Sequence, residues 1–288
     1  MKPIHTAVIG GSGLYDIPGA EIIEELQIST PFGKTSDTIT VISFEGQKAA
    51  FLPRHGKGHV FNPSEIPVRA NIYALKTIGV NKIIAISAVG SLKEEIPPED
   101  FVIPDQIIDR TKNRPSTFFE NGIVGHISFG DPFCQALSKA IAEPLTNEMG
   151  KHFHAHGTYV CMEGPAFSTR AESNLYRNWG ASVIGMTALP EAKLAREAEM
   201  CYTMIAMSTD YDCWRQNEES VTIDMIIGHM QKNTARVKQL LPKLLIAAEK
   251  TGDCPCRTSA ATAIFTAKDK ITPEAKERLS PLYGKYLG

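Results

Sequence analysis

Two carboxylates at the end of an apolar run are the first residues of this sequence that could do chemistry. Asp210 and Asp212 stand two positions apart in the segment Ser-Thr-Asp-Tyr-Asp-Cys-Trp. If the chain stays extended there, both carboxylates point to the same side. Like charges held close together raise one pKa, so one acid can stay protonated while its neighbour is ionised. Such a pair offers one hydrogen-bond donor and one acceptor.

This donor and acceptor complement one edge of adenine, which presents N7 as an acceptor and the 6-amino group as a donor. A 6-oxopurine would place an acceptor against the ionised carboxylate and would be rejected. A metal site and an acidic surface turn are the alternative interpretations of the same two residues.

A basic segment follows a predicted strand much earlier in the chain. It reads Arg54-His-Gly-Lys57-Gly-His59, with four basic or titratable side chains within six positions. Arg binds phosphate bidentately, and His can donate a hydrogen bond from either ring nitrogen. Ligands of α/β sheets gather at the carboxyl ends of strands. The segment therefore indicates an oxyanion site, with a solvated basic loop as the alternative.

Two further strand ends carry small and hydroxyl residues. Gly10-Gly-Ser12-Gly13 follows a strand predicted over 5–9, and Ser87 and Ala88 follow one over 82–87. Free backbone N–H groups and a hydroxyl can hold an anion; a tight turn is the alternative at the glycines. The glycine segment is not the dinucleotide-binding fingerprint, because Asp16 stands where the third glycine would be. It is not the nucleoside-triphosphate loop either, because no Lys-Ser/Thr follows.

The composition of the chain argues against several classes of function. The 288 residues carry 30 Lys and Arg against 32 Asp and Glu, which gives a formal net charge of −2. Such a charge creates no overall positive potential that would attract DNA, RNA or an acidic membrane. The start resembles no signal peptide, and no apolar run approaches the ~20 residues that span a bilayer. We therefore expect a soluble, cytoplasmic protein that acts on small molecules.

Six thinly spread cysteines do not resemble a secreted disulfide framework. Cys254 and Cys256 are interpreted as two unpaired thiols of a C-terminal tail rather than as a strained disulfide or a redox pair. His152, His154 and His156 are interpreted as one face of an edge strand rather than as metal ligands. We expect no metal site.

Strands with little polar alternation are separated by amphipathic segments, which predicts an α/β fold with a mainly parallel sheet covered on both faces. A predicted hairpin, 38–44 with 48–52, makes the central sheet mixed. One domain is expected over residues 1–250, with a C-terminal extension over 251–288 that packs on the same domain or on a neighbouring subunit. Further strands are predicted at 153–162, 182–186 and 201–209, and helices at 67–78, 132–145, 190–199, 221–248 and 273–279; the capping-box spacing of Thr169 and Glu172 predicts another helix to 178.

Taken together, these segments resemble the 5′-methylthioadenosine phosphorylases of the trimeric purine nucleoside phosphorylase family. The similarity runs in family order from residue 9 to about residue 250, and the last segment separates this branch from relatives that act on 6-oxopurines. The matching segments are Ile9-Gly-Gly-Ser-Gly-Leu14, Arg54-His-Gly, Gly90-Ser-Leu-Lys-Glu-Glu-Ile96, Val160-Cys-Met-Glu-Gly-Pro-Ala-Phe-Ser-Thr-Arg-Ala-Glu-Ser173, Gly185-Met-Thr, Pro190-Glu-Ala-Lys-Leu-Ala-Arg-Glu-Ala198 and Thr209-Asp-Tyr-Asp-Cys-Trp214.

The resemblance implies a role for each matching residue. Asp210 would act at N7 as the catalytic acid or donor, and Asp212 would bind the 6-amino group. His126 would come from the neighbouring subunit to close the 5′-methylthio pocket. The remaining implied residues are Ser12, Arg54, His55, Ser87, Ala88 and Thr187 for phosphate, Met186 under the ribose, Phe167 and Ser168 beside the base, and Ile223 and Ile226 at the 5′-methylthio group. The sequence differs from the family pattern at Ala166, where many members have Arg.

The same resemblance implies a nucleoside phosphorylase fold, a homotrimer or a dimer of trimers, and phosphorolysis of 5′-methylthioadenosine with inorganic phosphate as co-substrate and no cofactor. Two alternatives stay open. One is a purine nucleoside phosphorylase acting on adenosine or 6-oxopurine nucleosides, and the other is a non-catalytic nucleoside-binding protein.

Overall fold

The computed structural model describes residues 3–11, 14, 16–17, 19–215 and 223–287, with the side chains of 223–225 excepted. Strands and helices alternate through these residues. The strands are β1 Thr6–Gly10, β2 Glu21–Leu26, β3 Ser29–Thr30, β4 Gly33–Lys34, β5 Ile39–Phe44, β6 Gln47–Pro53, β7 Lys82–Ser91, β8 Phe101–Val102, β9 Gln106–Arg110, β10 Phe153–His154, β11 Thr158–Met162, β12 Val183–Gly185 and β13 Cys201–Asp210. The α-helices are α1 Val68–Thr77, α2 Gln135–Met149, α3 Arg170–Asn178, α4 Ala188–Glu197, α5 Ile223–Glu249 and α6 Pro273–Leu287.

One mixed sheet contains eleven of the strands found in the described ranges. Its main path runs β10-β8-β13-β7-β1-β6-β5-β2, and β12, β11 and β9 extend it beyond β7. The centre, β13-β7-β1-β6, is parallel, whereas β5 and β2 are antiparallel to their neighbours. The parallel centre matters for function, because the carboxyl ends of its four strands meet at one edge.

Alternate residues of the central strands face helices on opposite sides of the sheet. Ala7 and Ile9 belong to a core with buried residues of α1, α4 and α6, whereas Val8 belongs to a second core with α2 and α5. Strands buried on both faces read as continuous apolar runs. The predicted α/β fold with a mixed central sheet flanked by helices on both faces is confirmed.

Several elements follow the sequence prediction and others correct it. The hairpin forms through Glu45 and Gly46, both at positive φ, and the Thr169–Glu172 capping box is present. The strand predicted over 153–162 is wrong as one element: β10 pairs with β8, and β11 pairs with β9 and β12. Between them Gly157 packs so close to Ser182 that a Cβ would lie 3.0 Å from it. The exposed β2 and β9 were not predicted.

The C-terminal segment packs on the rest of the chain. Tyr283 of α6 is fully buried and stacks on Phe119 at 4.8 Å, and the Tyr73 hydroxyl of α1 donates to the Arg278 carbonyl at 2.9 Å. α6 therefore continues beyond the predicted residue 279 because its later turns belong to the core. The domain boundary at residue 250 stays a prediction.

Candidate active site

Arg54 joins the ends of β6 and β1 to the middle of β7. It follows β6, and its backbone N–H donates to the Gly10 carbonyl at the end of β1. The buried guanidinium donates from Nη1 to the Ile86 carbonyl of β7 at 3.0 Å and from Nη2 to the Ile9 carbonyl at 3.3 Å. The end of a buried strand thus places one cation beneath the edge where the candidate phosphate residues stand.

Glu191 of α4 occupies the fork of Arg54. Nε and Nη2 donate to its two carboxylate oxygens at 2.9 and 3.0 Å, and the Tyr202 hydroxyl donates to the same carboxylate. Burial opposes the charge of Arg54, but Glu191 outweighs burial and holds the pKa of Arg54 above its ordinary value. Since a guanidinium has five N–H donors and four are engaged, one Nη1–H has no hydrogen-bond partner among the described residues. The fork predicted for phosphate is bound to Glu191.

Ser87 and Thr187 stand next to this cation. The Ser87 hydroxyl lies 3.1 Å from the Thr187 hydroxyl, and Thr187 precedes α4 without its side chain capping that helix. Ala88 lies beside Ser87 on β7 and is also partly exposed. Two adjacent hydroxyls can donate hydrogen bonds to an anion. Ser12, assigned to the same role, lies outside the described residues.

His55 is held as a neutral imidazole. Its Nδ1 lies 2.9 Å from the Phe61 carbonyl; because a carbonyl only accepts, Nδ1 carries the proton and Nε2 is an acceptor. Burial lowers the pKa of His55 to about 4, helped by the charges of Arg54 and His59 and opposed by the Phe61 hydrogen bond. The sequence suggested that His55 donates a hydrogen bond to phosphate. The nitrogen that carries the proton, Nδ1, instead donates to the Phe61 carbonyl.

The two aspartates come together by a turn and not along an extended strand. β13 bulges at Thr209 and ends at Asp210, and Asp212 has a φ of 51°. The Asp212 N–H donates to Asp210 Oδ1 at 2.8 Å, and the Thr209 hydroxyl donates to Asp210 Oδ2 at 2.7 Å. The expectation of an extended segment is wrong, although the turn also brings both carboxylates to one place.

Both carboxyl groups favour the protonated form more than ordinary aspartates. Burial raises the pKa of Asp210, opposed by the Thr209 and Asp212 donors. Burial also raises the pKa of Asp212, and the negative charge of Asp210 adds to this effect. Asp212 Oδ2 is buried and has no hydrogen-bond partner in the described part of the chain. An unpartnered buried carboxylate oxygen is a strong acceptor for a ligand N–H.

Gly90 permits this arrangement. A Cβ at Gly90 would lie 3.1 Å from Asp210 Oδ1 and 3.3 Å from the Asp212 Cβ. Gly90 pairs in register with Asp210 and stands three residues beyond Ser87 on the same strand. At ~3.3 Å per residue, the hydroxyl of Ser87 and the aspartate pair are separated by ~10 Å along β7.

Arg114 fixes the segments beside the aspartates. Its Nη1 donates to the Met186 and Leu189 carbonyls at 2.6 and 2.8 Å, and its Nη2 donates to the Glu163 carbonyl. Gly164 lies so close to Met186 that a Cβ would be 2.5 Å from its sulfur. Met186 is thereby held directly before Thr187, where the resemblance places the residue under the ribose.

The residues assigned beside the base differ in exposure. Phe167 is 71% exposed, whereas Ser168 is buried and its hydroxyl contacts the Met162 sulfur at 3.6 Å. The Cys213 thiol, next to Asp212, donates to the Ser168 carbonyl at 3.2 Å. This contact attaches the 167–168 segment to the aspartate turn.

α5 packs over the end of β13. Asn233 is fully buried and donates to the Ser208 carbonyl at 2.8 Å, two residues before Asp210. Ile226 stands two turns earlier on α5 and is partly exposed. Ile223 begins the helix, and its side chain lies outside the described ones. His126 is on another part of the molecule, where its ring packs against the exposed Phe265 at 5.0 Å.

Three residues that position this site were not assigned a role from the sequence: Glu191, Arg114 and Gly90. Glu191 and Arg114 are charged residues whose burial no local pattern indicated, while Gly90 stood in a quoted motif without an assigned reason. The described chain includes no helix both long enough and apolar enough to cross a membrane.

A sequence profile of the phosphorylase superfamily matches residues 5–246. The chain belongs to this superfamily. Among curated members, it is 52% identical over 281 residues to an S-methyl-5′-thioadenosine phosphorylase of Koribacter versatilis, covering 98% of this chain and 96% of that protein. It is 50% identical over 299 residues to the enzyme of that name from Emericella nidulans, covering 99% and 84%.

Solved structures of superfamily members share the fold. A methylthioadenosine phosphorylase from an antarctic soil metagenomic library superposes with a TM-score of 0.89 at 44% identity, covering 98% of this chain and 99% of that chain. The methylthioadenosine phosphorylase of Schistosoma mansoni in complex with adenine gives 0.81 at 35% identity, covering 90% and 96%. The fold is therefore that of the nucleoside phosphorylases.

Proposed function

We propose that the protein cleaves 5′-methylthioadenosine with inorganic phosphate to adenine and 5-methylthioribose 1-phosphate. One observation carries this proposal. Strand β7 bears Ser87, beside Arg54 and Thr187, and three residues later Gly90, beside Asp210 and Asp212. Anion-binding groups and a base-reading acid pair are thus ~10 Å apart along one strand, a separation that a ribose can bridge.

The aspartate pair would bind adenine and assist its departure. Protonated Asp210 donates to N7, while unpartnered Asp212 Oδ2 accepts from the 6-amino group. As the C1′–N9 bond breaks, its electron pair moves into the purine and the proton of Asp210 neutralises the leaving base at N7. General acids of this kind contribute ~10²–10⁴-fold to a rate.

Phosphate would bind at the other end and attack C1′ from the face opposite the base. Ser87, Thr187 and the remaining Nη1–H of Arg54 donate to its oxygens, with Ser12 and the Ala88 backbone completing the set. Neutral His55 Nε2 accepts the hydrogen bond of the phosphate P–OH. One phosphate oxygen forms the new bond to C1′, and much of the rate enhancement comes from holding the reactants in line.

The 5′ side of the nucleoside would lie under the start of α5. Ile223 and Ile226 supply an apolar pocket, which favours a thioether over a 5′-hydroxyl. Met186 lies under the ribose, and Phe167 and Ser168 lie beside the base. His126 closes the pocket from a neighbouring subunit of a homotrimer, or of a dimer of trimers, in the cytoplasm.

The relatives support the substrate. The similar bacterial and fungal proteins carry the name S-methyl-5′-thioadenosine phosphorylase. A variant of the S. mansoni adenosine/methylthioadenosine phosphorylase was solved in complex with methylthioadenosine, with a TM-score of 0.80 at 35% identity over 90% of this chain and 96% of that chain. The reaction requires no cofactor beyond inorganic phosphate as co-substrate.

The test is base release from 5′-methylthioadenosine, adenosine, inosine and methylthioinosine, each with and without phosphate. We expect phosphate-dependent adenine release, fastest from methylthioadenosine, with 5-methylthioribose 1-phosphate formed in equal amount. Faster cleavage of adenosine or inosine would instead identify a purine nucleoside phosphorylase. Binding without base release would identify a non-catalytic nucleoside-binding protein.

A further inference from the structure

Four cysteines from distant parts of the sequence meet at the opposite end of β13 from Asp210. Cys201 begins β13, Cys134 caps the N-terminus of α2, and Cys254 and Cys256 flank Pro255 after α5. Their sulfur atoms all lie within 4.8 Å of one another. All four are free thiols, but the two tail cysteines do not stand alone as their interpretation from sequence assumed.

We propose that Cys134, Cys201, Cys254 and Cys256 bind one Zn²⁺ ion in a tetrathiolate site that fastens the C-terminal segment to the sheet. Zinc in structural sites takes four ligands in a tetrahedron with Zn–S bonds of ~2.3 Å, which places the sulfurs ~3.8 Å apart. The Cys134 and Cys254 sulfurs are 3.6 Å apart, and those of Cys201 and Cys254 are 2.8 Å apart. The Cys134–Cys254 separation matches that of one ion's coordination shell, and the Cys201 and Cys254 sulfurs would move apart by ~1 Å to hold the ion.

The start of α2 favours a thiolate at Cys134. Cys134 Sγ accepts the Leu137 N–H at 3.5 Å at the start of α2, where unpaired N–H groups and the helix dipole stabilise a negative charge. Four thiolates and Zn²⁺ carry a net charge of −2. Binding would release the thiol protons to solvent.

The geometry indicates a closed structural site. Cys134, Cys201 and Cys256 are buried at 2%, 0% and 6% exposure, and Cys254 is half-buried. Four protein ligands leave no position for a substrate, and soft thiolates select Zn²⁺ over harder divalent cations. Asp210 stands nine residues along β13, ~30 Å away. The ion would therefore act on stability without touching the reacting atoms.

The ion would hold the segment that completes one of the two cores. The turn containing Cys256 is also tied to α4, because the Ser259 hydroxyl donates to the Arg196 carbonyl at 2.6 Å. Residues beyond it, including Ala260, Leu279 and Tyr283, are fully buried in the core beneath α1 and α4. Loss of the ion should loosen this segment first.

The first experiment measures metal in the protein as purified under reducing conditions, by mass spectrometry of the elements. We expect about one zinc per chain in the wild type, and none in the double variant Cys254→Ser/Cys256→Ser. The matched control is Cys213→Ser, a partly exposed cysteine outside the quartet, which should keep the wild-type zinc content. Equal, substoichiometric zinc in all three proteins overturns the proposal.

The second experiment needs no variant and therefore does not depend on a variant's folding. Zinc is removed from the wild type with a chelator under reductant, and Co²⁺ is added as a spectroscopic probe. We expect thiolate-to-cobalt charge-transfer bands and intense tetrahedral ligand-field bands that saturate at one equivalent, with a rise in Tm. Absence of these bands, or intact mass showing the loss of two hydrogens for a Cys201–Cys254 disulfide in the native protein, contradicts the site.

Discussion

Arg54 and Glu191 form two parallel hydrogen bonds, of 2.9 and 3.0 Å, where their side chains are only 3% and 1% exposed. A buried cation beneath a phosphate site would be costly alone, and the carboxylate of α4 compensates it. The Nη1 group of Arg54 donates to the Ile86 carbonyl, next to Ser87 in the sequence. Glu191 is thus a positioning residue for Arg54.

Glu191→Gln should destabilise the protein and weaken phosphate binding together. The amide would face the guanidinium with one N–H group and leave the buried charge uncompensated, so we expect a loss of ~3–5 kcal/mol in the free energy of unfolding. Chemical denaturation and the KM for phosphate measure the two effects. Glu274→Gln, an exposed residue in the first turn of α6, is the control. Wild-type stability and an unchanged KM in the Glu191 variant would refute the positioning role.

Asp210→Asn should lower kcat by ~10²–10⁴-fold, the usual contribution of a general acid. Asparagine keeps the acceptor for the Asp212 N–H but cannot protonate N7. Burial raises the pKa of Asp210, and the acid must hold its proton, so wild-type kcat should fall as the pH rises through that pKa. This decrease of kcat at high pH should be missing in the variant. If the same decrease persists in Asp210→Asn, it reflects the titration of another group.

His55 should bind phosphate as a neutral acceptor across the working pH range. Because burial lowers its pKa to about 4, the KM for phosphate should show no His55 inflection above about pH 5, apart from that of phosphate itself. His55→Asn keeps a donor for the Phe61 carbonyl but loses the Nε2 acceptor, and should raise this KM at every pH. An inflection near the ordinary histidine pKa that disappears in the variant would show that His55 binds as a cation.

Glu197 should make stability fall toward neutral pH. Burial raises its pKa to about 7, opposed by the Phe118 N–H, the Thr117 hydroxyl and Lys193. Since the native state keeps a proton that the unfolded state loses between about pH 4.5 and 7, the free energy of unfolding should decrease over that range, by ~3 kcal/mol at ~1.4 kcal/mol per pKa unit. Denaturation at several pH values measures this. In Glu197→Gln, the free energy of unfolding should decrease less over this pH range. An equal decrease in the variant would show that another group causes it.

Local sequence signals predicted much of the fold. The hairpin through Glu45 and Gly46 and the Thr169–Glu172 cap depend on neighbouring residues, so they could be predicted without tertiary knowledge. Arg54 follows β6 and Ser87 lies on β7, parallel strands of one sheet as predicted, although β7 continues past the predicted end at residue 87 to Ser91.

Features that depend on tertiary contacts were not accessible in this way. The positive φ of Asp212 arises where β13 bulges and turns, and alternation along a strand carries no sign of it. Glu191 is buried because Arg54, far away in sequence, compensates it. Cys134, Cys201 and Cys254 share no local spacing, so their meeting depended on the fold. The roles of His126 and Ile223 stay predictions.

The proposed function requires that Asp210 and Asp212 bind the 6-amino edge of a purine base that phosphate then displaces. The most direct measurement is kcat/KM for 5′-methylthioadenosine and for methylthioinosine, at saturating phosphate, in the wild type and in Asp212→Asn. We predict phosphate-dependent cleavage with a strong wild-type preference for the amino substrate, and loss or reversal of that preference in the variant. An unchanged preference in Asp212→Asn, or no phosphate-dependent cleavage by the wild type, would contradict the account.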